Sequence, residues 1–221
     1  MRVLTQLQRG LFQPKLYTYR LQKEEAWSGL WKGVLLLTII SGLIYGWSAY
    51  FGIGSEYLSG NLTELPPQEY EMHKTLYMAG QVLRGLFYGT AILLAPALFF
   101  WALTDIALKP LISIQMLVLV ILLFEKLILI PINLSIGLAE VSSLFSLGPI
   151  AQALMDNQFI ILFFAGVTLF KLWAVIIQYR YIKELATGKR PIMILVIVLG
   201  LNLVLWLLAA LFSFVQFEKI I

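Results

Sequence analysis

The run Leu111–Leu134, LISIQMLVLVILLFEKLILIPINL, constrains this chain more than any other stretch. It is apolar and long enough to cross a bilayer, yet it carries Glu125 and Lys126 side by side well inside its length, with Pro131 and Asn133 close behind. Charge at membrane depth is expensive, so such residues face a protein interior and find partners there. One helix cannot supply that interior, and a chain built around this stretch must therefore be a bundle of spans.

Composition agrees. Of 221 residues, 60% are hydrophobic and only 13% charged, and the mean hydropathy is +0.87. A soluble domain is typically about half apolar and a quarter charged. The expected fold class is all-α, a polytopic membrane helical bundle. The spans are expected at about 27–51, 76–103, 111–134, 158–178 and 192–215, giving a five-span membrane domain over 27–215. A cytoplasmic basic segment over 1–26 precedes it, and a short external tail, 216–221, follows.

The first segment carries Arg2, Arg9, Lys15, Arg20 and Lys23, with Val3, Leu4, Leu7, Leu11 and Phe12 near helical spacing until Pro14. That pattern predicts a basic amphipathic helix on the inner membrane face, with a partly ordered tail as the alternative. No cleavable signal sequence is expected, because the first apolar run is too long for one; the first span would act as an uncleaved anchor. Trp27 and Trp31 at one end of that span, and Trp47 and Tyr50 at the other, mark its interfaces. Gly42 and Gly46, and then Gly85 and Gly89, form two GxxxG pairs, expected to pack within the bundle in preference to dimerisation. Gly52 to His73 is acidic, with turn-forming Pro66 and Pro67, and is expected to be an external loop; its Asn61-Leu62-Thr63 is formally a glycosylation sequon. The apolar run Leu144 to Met155 is too short to span and leaves a re-entrant or interfacial piece open.

Charge placement sets the expected orientation. Eleven Lys and Arg fall on the side of the N-terminus and two on the other, with Arg84, Lys126 and Lys171 inside spans. Positive residues concentrate on the cytoplasmic side, so the N-terminus is expected inside and the C-terminus outside. The same distribution argues against a nucleic-acid partner despite the net charge of +4, since the bases sit at span ends. Arg180, Lys183, Lys189 and Arg190 form an inner basic surface suited to anionic lipid or an acidic partner.

The intramembrane charges carry the chemical potential. By helical rise, Glu125 lies about 13 Å and Arg84 about 12 Å from the outer ends of their spans, and Lys171 about 10 Å from the inner end of its own. In a core about 30 Å thick this sets Glu125 close to Arg84, with Lys171 about 7 Å deeper, within reach of a long side chain. Asn133, seven residues after Lys126, shares its helix face. The cluster is either a buried ion pair that fixes packing or a polar pathway with ligand counter-ions. Three bases against one acid favour the former, because a proton relay would need a chain of carboxylates.

Catalysis is not expected. One histidine and no cysteine leave no His or Cys cluster for a metal, and neither GxSxG nor a P-loop is present, so no cofactor is expected.

Leu11-Phe12-Gln13-Pro14 shortly before Trp27, the five-span layout, and the basic Gly188-Lys189-Arg190 turn into the last span resemble the YIP family of Ypt-interacting-protein-like membrane proteins, in its bacterial branch. The likeness runs from about Leu11 to Phe212. It implies a non-enzymatic accessory or scaffold protein of the bacterial cell membrane, partnering an ABC-type exporter or another integral membrane complex. A second copy of the chain is a compatible partner. The aspartate-leucine-tyrosine-glycine-type motif of eukaryotic members is missing, which argues against GTPase binding. The alternative is a small transporter or channel subunit using Arg84, Glu125, Lys126, Asn133 and Lys171.

Overall fold

A computed structural model of the chain describes residues 2–23, 29–54, 66–136, 145–186 and 188–215. Trp27, the sequon at Asn61, most of the acidic loop with Glu56 and Glu64, Glu140 and the tail 216–221 lie outside the described residues. The described elements are helices: α1 (Arg2–Phe12), α2 (Pro14–Gln22), α3 (Leu30–Tyr50), α4 (Pro67–Leu103), α5 (Leu108–Ile136), α6 (Gly148–Leu154), α7 (Gln158–Ala165), α8 (Leu169–Leu185) and α9 (Pro191–Val215). Of these, α3, α4, α5 and α9 are long and apolar enough to cross a membrane, the mark of a multi-pass membrane protein.

α5 stands at the centre. Leu111 through Leu119 are buried without a gap, and α3, α4, α8 and α1 all pack on it. Successive long helices run antiparallel. This divides the bundle into a proximal face, where α4 ends and α5 and α9 begin, and a distal face, where α3, α5 and α9 end. α4 begins nine residues before the expected span start, because Pro67 takes the first helical position and Glu69 lies in the first turn. Part of the expected loop is therefore helix.

The α3–α4 seam is built by its glycines. A Cβ on Gly85 would lie 2.8 Å from the Gly42 Cα and 2.8 Å from the Ser41 carbonyl. Such backbone approach allows the Ser41 hydroxyl to donate to the Gly85 carbonyl at 2.7 Å. Both GxxxG pairs thus meet each other inside one chain.

The N-terminal segment is a helical hairpin docked on the proximal face, in place of a lone surface helix or a tail. Pro14 ends α1 by starting α2. Leu7, Tyr17 and Leu21 are buried, and the Tyr17 ring meets the Tyr181 ring edge-on at 5.7 Å. The Tyr181 hydroxyl donates to the Gly10 carbonyl at 2.5 Å, and Thr18 donates to Glu184 at 2.7 Å. Burial pushes the Tyr17 phenol up to about 12, against a smaller opposing pull from a hydrogen bond with Ser113.

The expected fourth span, 158–178, is not one helix. It breaks after Ala165, resumes at Leu169 and continues to Leu185. Irregular backbone at membrane depth survives only where protein satisfies it. Here the segment Phe145–Leu147 supplies the partners: Leu147 N–H donates to the Val167 carbonyl and Leu169 N–H to the Phe145 carbonyl, both at 3.0 Å. α6 then runs back alongside α7, with Gly148 against Ala165, so 148–165 is a helical hairpin whose base lies at the break.

Candidate functional site: a charged cavity at the interrupted helix

The break has a polar logic. α7 ends with unsatisfied carbonyls, and the Lys171 ammonium donates to the Gly166 carbonyl at 2.5 Å. A cation is well placed at a helix C-terminus. α8 begins with unsatisfied amides, and the Thr168 side-chain oxygen accepts from Lys171 N–H at 3.2 Å as its N-cap. The Thr168 side chain also lies beside the Glu125 carboxylate of α5. Glu125 also lies in the field of Lys171. One threonine thus links the broken helix to the charged central one.

Glu125 is only 6% exposed, and counting along α5 places it about 16 Å from the distal end of the helix. Around it lies a cavity of about 330 Å³. Arg84, Glu125, Lys126, Asn133 and Lys171 all line this cavity, with the break residues Gly166 and Thr168. Arg84 is exposed, and its side chain reaches Gln81 at 3.5 Å. Lys126 sits over the Tyr45 ring at 4.0 Å from the centroid, and the Arg84 guanidinium lies 6.0 Å from the same ring. Tyr45 in turn contacts Tyr88 at 5.5 Å. An aromatic face steadies cations at this range, so Tyr45 holds two of them on one wall while Lys171 occupies another.

Asn133 follows Pro131, which has no N–H to donate back along the helix. Its side chain is 8% exposed and its Oδ1 has no hydrogen-bond partner. Buried polar atoms are overwhelmingly paired, so an orphan on a cavity wall marks a place where a donor is wanted. Leu122 and Tyr88 line the cavity and, packed with Val118, Ala174 and Ile92, form an apolar floor under it. At the other end its lining reaches Ile53 and Ser213, at the distal ends of α3 and α9.

Beneath the floor is a polar ladder that the sequence reading passes over. Gln178 Nε2 donates to Gln115 Oε1 at 3.0 Å, and Asn202 Nδ2 donates to Gln178 Oε1 at 2.7 Å. It ties α5, α8 and α9 together, with Gln115 fully buried. The signal available was an amide within each of three apolar runs, Gln115, Gln178 and Asn202.

The four basic residues expected on the inner surface do not form one patch of equal members. Arg180 and Lys183 are exposed, with Lys183 5.8 Å from the Tyr179 ring centroid, while the Lys189 ammonium caps the Leu103 carbonyl at the end of α4. Arg190 is exposed at the start of α9. Among the described residues no group of His, Asp and Glu is arranged to hold a metal ion.

Fold and site together define a polytopic helical membrane protein with a charged internal cavity at a broken helix. No family model, curated protein or solved structure matches the chain.

Proposed function

We propose that this chain is a non-enzymatic membrane protein that holds a small polar ligand in the cavity at the interrupted helix, as a small transporter or channel subunit. The observation that carries this reading is the break itself. Its two half-helix ends, Lys171 and Thr168, sit against Glu125 on the wall of a cavity of about 330 Å³. Discontinuous helices at membrane depth serve ligand and ion sites in transporters for the same electrostatic reason. A cluster serving packing alone would close on itself, whereas pockets of a few hundred Å³ with convergent polar groups are the ordinary form of a small-molecule site. The two halves α7 and α8 together make the fifth crossing. With eleven bases on one side, the N-terminus and the proximal face are cytoplasmic and the cavity opens outward.

The experiment uses the absence of native cysteine. In Ser48→Cys, a thiol placed on the cavity wall should react in intact cells with a membrane-impermeant charged thiol reagent. Leu43→Cys, on an exposed apolar face of α3, should not. A Ser48→Cys thiol as inert as the Leu43→Cys one would remove the open cavity and with it this reading.

The second reading is the accessory or scaffold protein implied by the resemblance to the bacterial YIP family, bound to an exporter or another integral complex. α9 favours it: only 17% of its most apolar window is buried within the chain. That face is available to another protein's spans as well as to lipid. Crosslinking in native membranes from α9 positions such as Val196 and Leu203 would capture a discrete partner band if this reading holds, and only lipid adducts if it does not.

A further inference from the structure

We infer that the cavity takes an oxyanion that also carries a hydroxyl, a phosphate-type group with a proton to donate. The inference rests on the cavity being a ligand site and adds the chemistry of what fills it.

The charge of the lining comes first. Among the described residues, Arg84, Lys126 and Lys171 line the cavity against one carboxylate, that of Glu125. The cations come from different walls. Lys126 and Arg84 are gathered on the Tyr45 ring, and Lys171 stands at the break. Lys171 spends one donor on Gly166 and has two more, because an ammonium carries three. An anion between these walls meets positive charge from both sides, in a site where low dielectric strengthens the attraction.

Asn133 narrows the class. Its Oδ1 is buried on the cavity wall with no donor, although three cationic side chains line the same space. Glu125, the carboxylate among the described lining residues, is an acceptor when ionised. A fully deprotonated oxyanion such as sulfate offers both of them only lone pairs. Monohydrogen phosphate has the same tetrahedral shape and charge but keeps one O–H, which can satisfy the Asn133 carbonyl while its other oxygens meet the cations. A glycerol-phosphate lipid headgroup offers the same pair of features, a phosphate oxyanion and a nearby alcohol. The cavity volume suits a group of that size with a few waters.

The test measures protection of the Ser48→Cys thiol in the purified full chain, in detergent near neutral pH. Inorganic phosphate should slow labelling at concentrations about tenfold or more below those at which sulfate does, the discrimination expected when a buried acceptor is left unpaired. Asn133→Leu should abolish that preference while the apo protein becomes no less heat-stable, because the variant removes an unsatisfied group instead of a bond. Arg84→Gln should weaken protection by phosphate and sulfate alike. Reconstitution into phosphatidylcholine vesicles with and without phosphatidylglycerol separates the sources. Protection by added phosphate in phosphatidylcholine alone supports a free ion, and protection only when phosphatidylglycerol is present supports a headgroup. Equal protection by sulfate and phosphate, preference for sulfate, or no protection from any arm with the thiol still reactive would overturn the inference and leave the cavity standing. A thiol that never reacts would instead remove the cavity reading.

Discussion

Thr168 serves two groups with one side chain. Its oxygen caps α8 and its hydroxyl lies beside Glu125, while its backbone sits where the chain pairs with Ser146. Thr168→Val keeps the shape and the β-branching but loses both polar roles. It should lower stability in detergent by about 1 to 2 kcal/mol, the usual cost of a lost N-cap, while Thr168→Ser should recover most of it. Thermal unfolding of the purified variants checks this. Glu125 asks a related question. Glu125→Ala removes the carboxylate whose field reaches Lys171, a loss of at most about 3 kcal/mol, the lower end for broken buried pairs, because Gly166 still holds the ammonium. Glu125→Ala with Lys171→Met should restore part of that loss, and a double variant less stable than either single one would show that the two residues do not act as a pair.

At the scale of elements, the α3–α4 seam and the docked hairpin respond in opposite ways to small changes. Gly85→Ala puts a methyl 2.8 Å from backbone atoms of α3, which cannot move aside as a side-chain tip can. The helices must separate, at about 1 to 3 kcal/mol for overpacking. Gly80→Ala meets nothing within 4 Å in the same helix and should be neutral or stabilising. Unfolding temperatures of the pair measure the difference. For the α1–α2 hairpin the handle is Tyr17. Its folded pKa of about 12 lies above the ordinary value of 10.0. The neutral ring's contribution to docking is therefore fully present below pH 10 and is lost as pH rises through 12, by about 2 to 3 kcal/mol in all. The hairpin should become protease-sensitive in that window, and Tyr17→Phe should not show the tyrosine-linked part of the change.

For the whole molecule the central question is which face meets the cytoplasm. With the basic proximal face inside, a reporter fused after Lys109 or Lys189 should read as cytoplasmic and one inserted near Glu64 as external. An external signal from Lys109 would invert the bundle and turn the cavity toward the cell interior. Neutralising Arg180, Lys183 and Arg190 should weaken binding to anionic vesicles by about 1 kcal/mol per base near the surface. Lys189→Gln should act differently, through loss of its bond to the Leu103 carbonyl at the turn between α4 and α5.

The helical membrane class and the four long spans were legible in the sequence, because apolar runs of twenty or more residues have few other ways to be buried. The charges that matter were legible too: a Glu or Lys at membrane depth stands out against an apolar run whatever surrounds it. The tertiary structure decided their arrangement. Depth counting along straight helices set Glu125 close to Arg84 with Lys171 in reach of a long side chain, but only packing brought Thr168 beside Glu125 and gathered Arg84 and Lys126 around Tyr45. Composition hid the interruption of the fourth span, since Gly166-Val167-Thr168 is as apolar as a continuous helix. Only the distant segment Phe145–Leu147, by pairing with its backbone, makes a break there affordable. The Gln115–Gln178–Asn202 ladder was hidden for the same reason. Each amide is unremarked in its own run, and hydrogen bonding across three helices is a property of their register in space, which no local pattern of residues encodes.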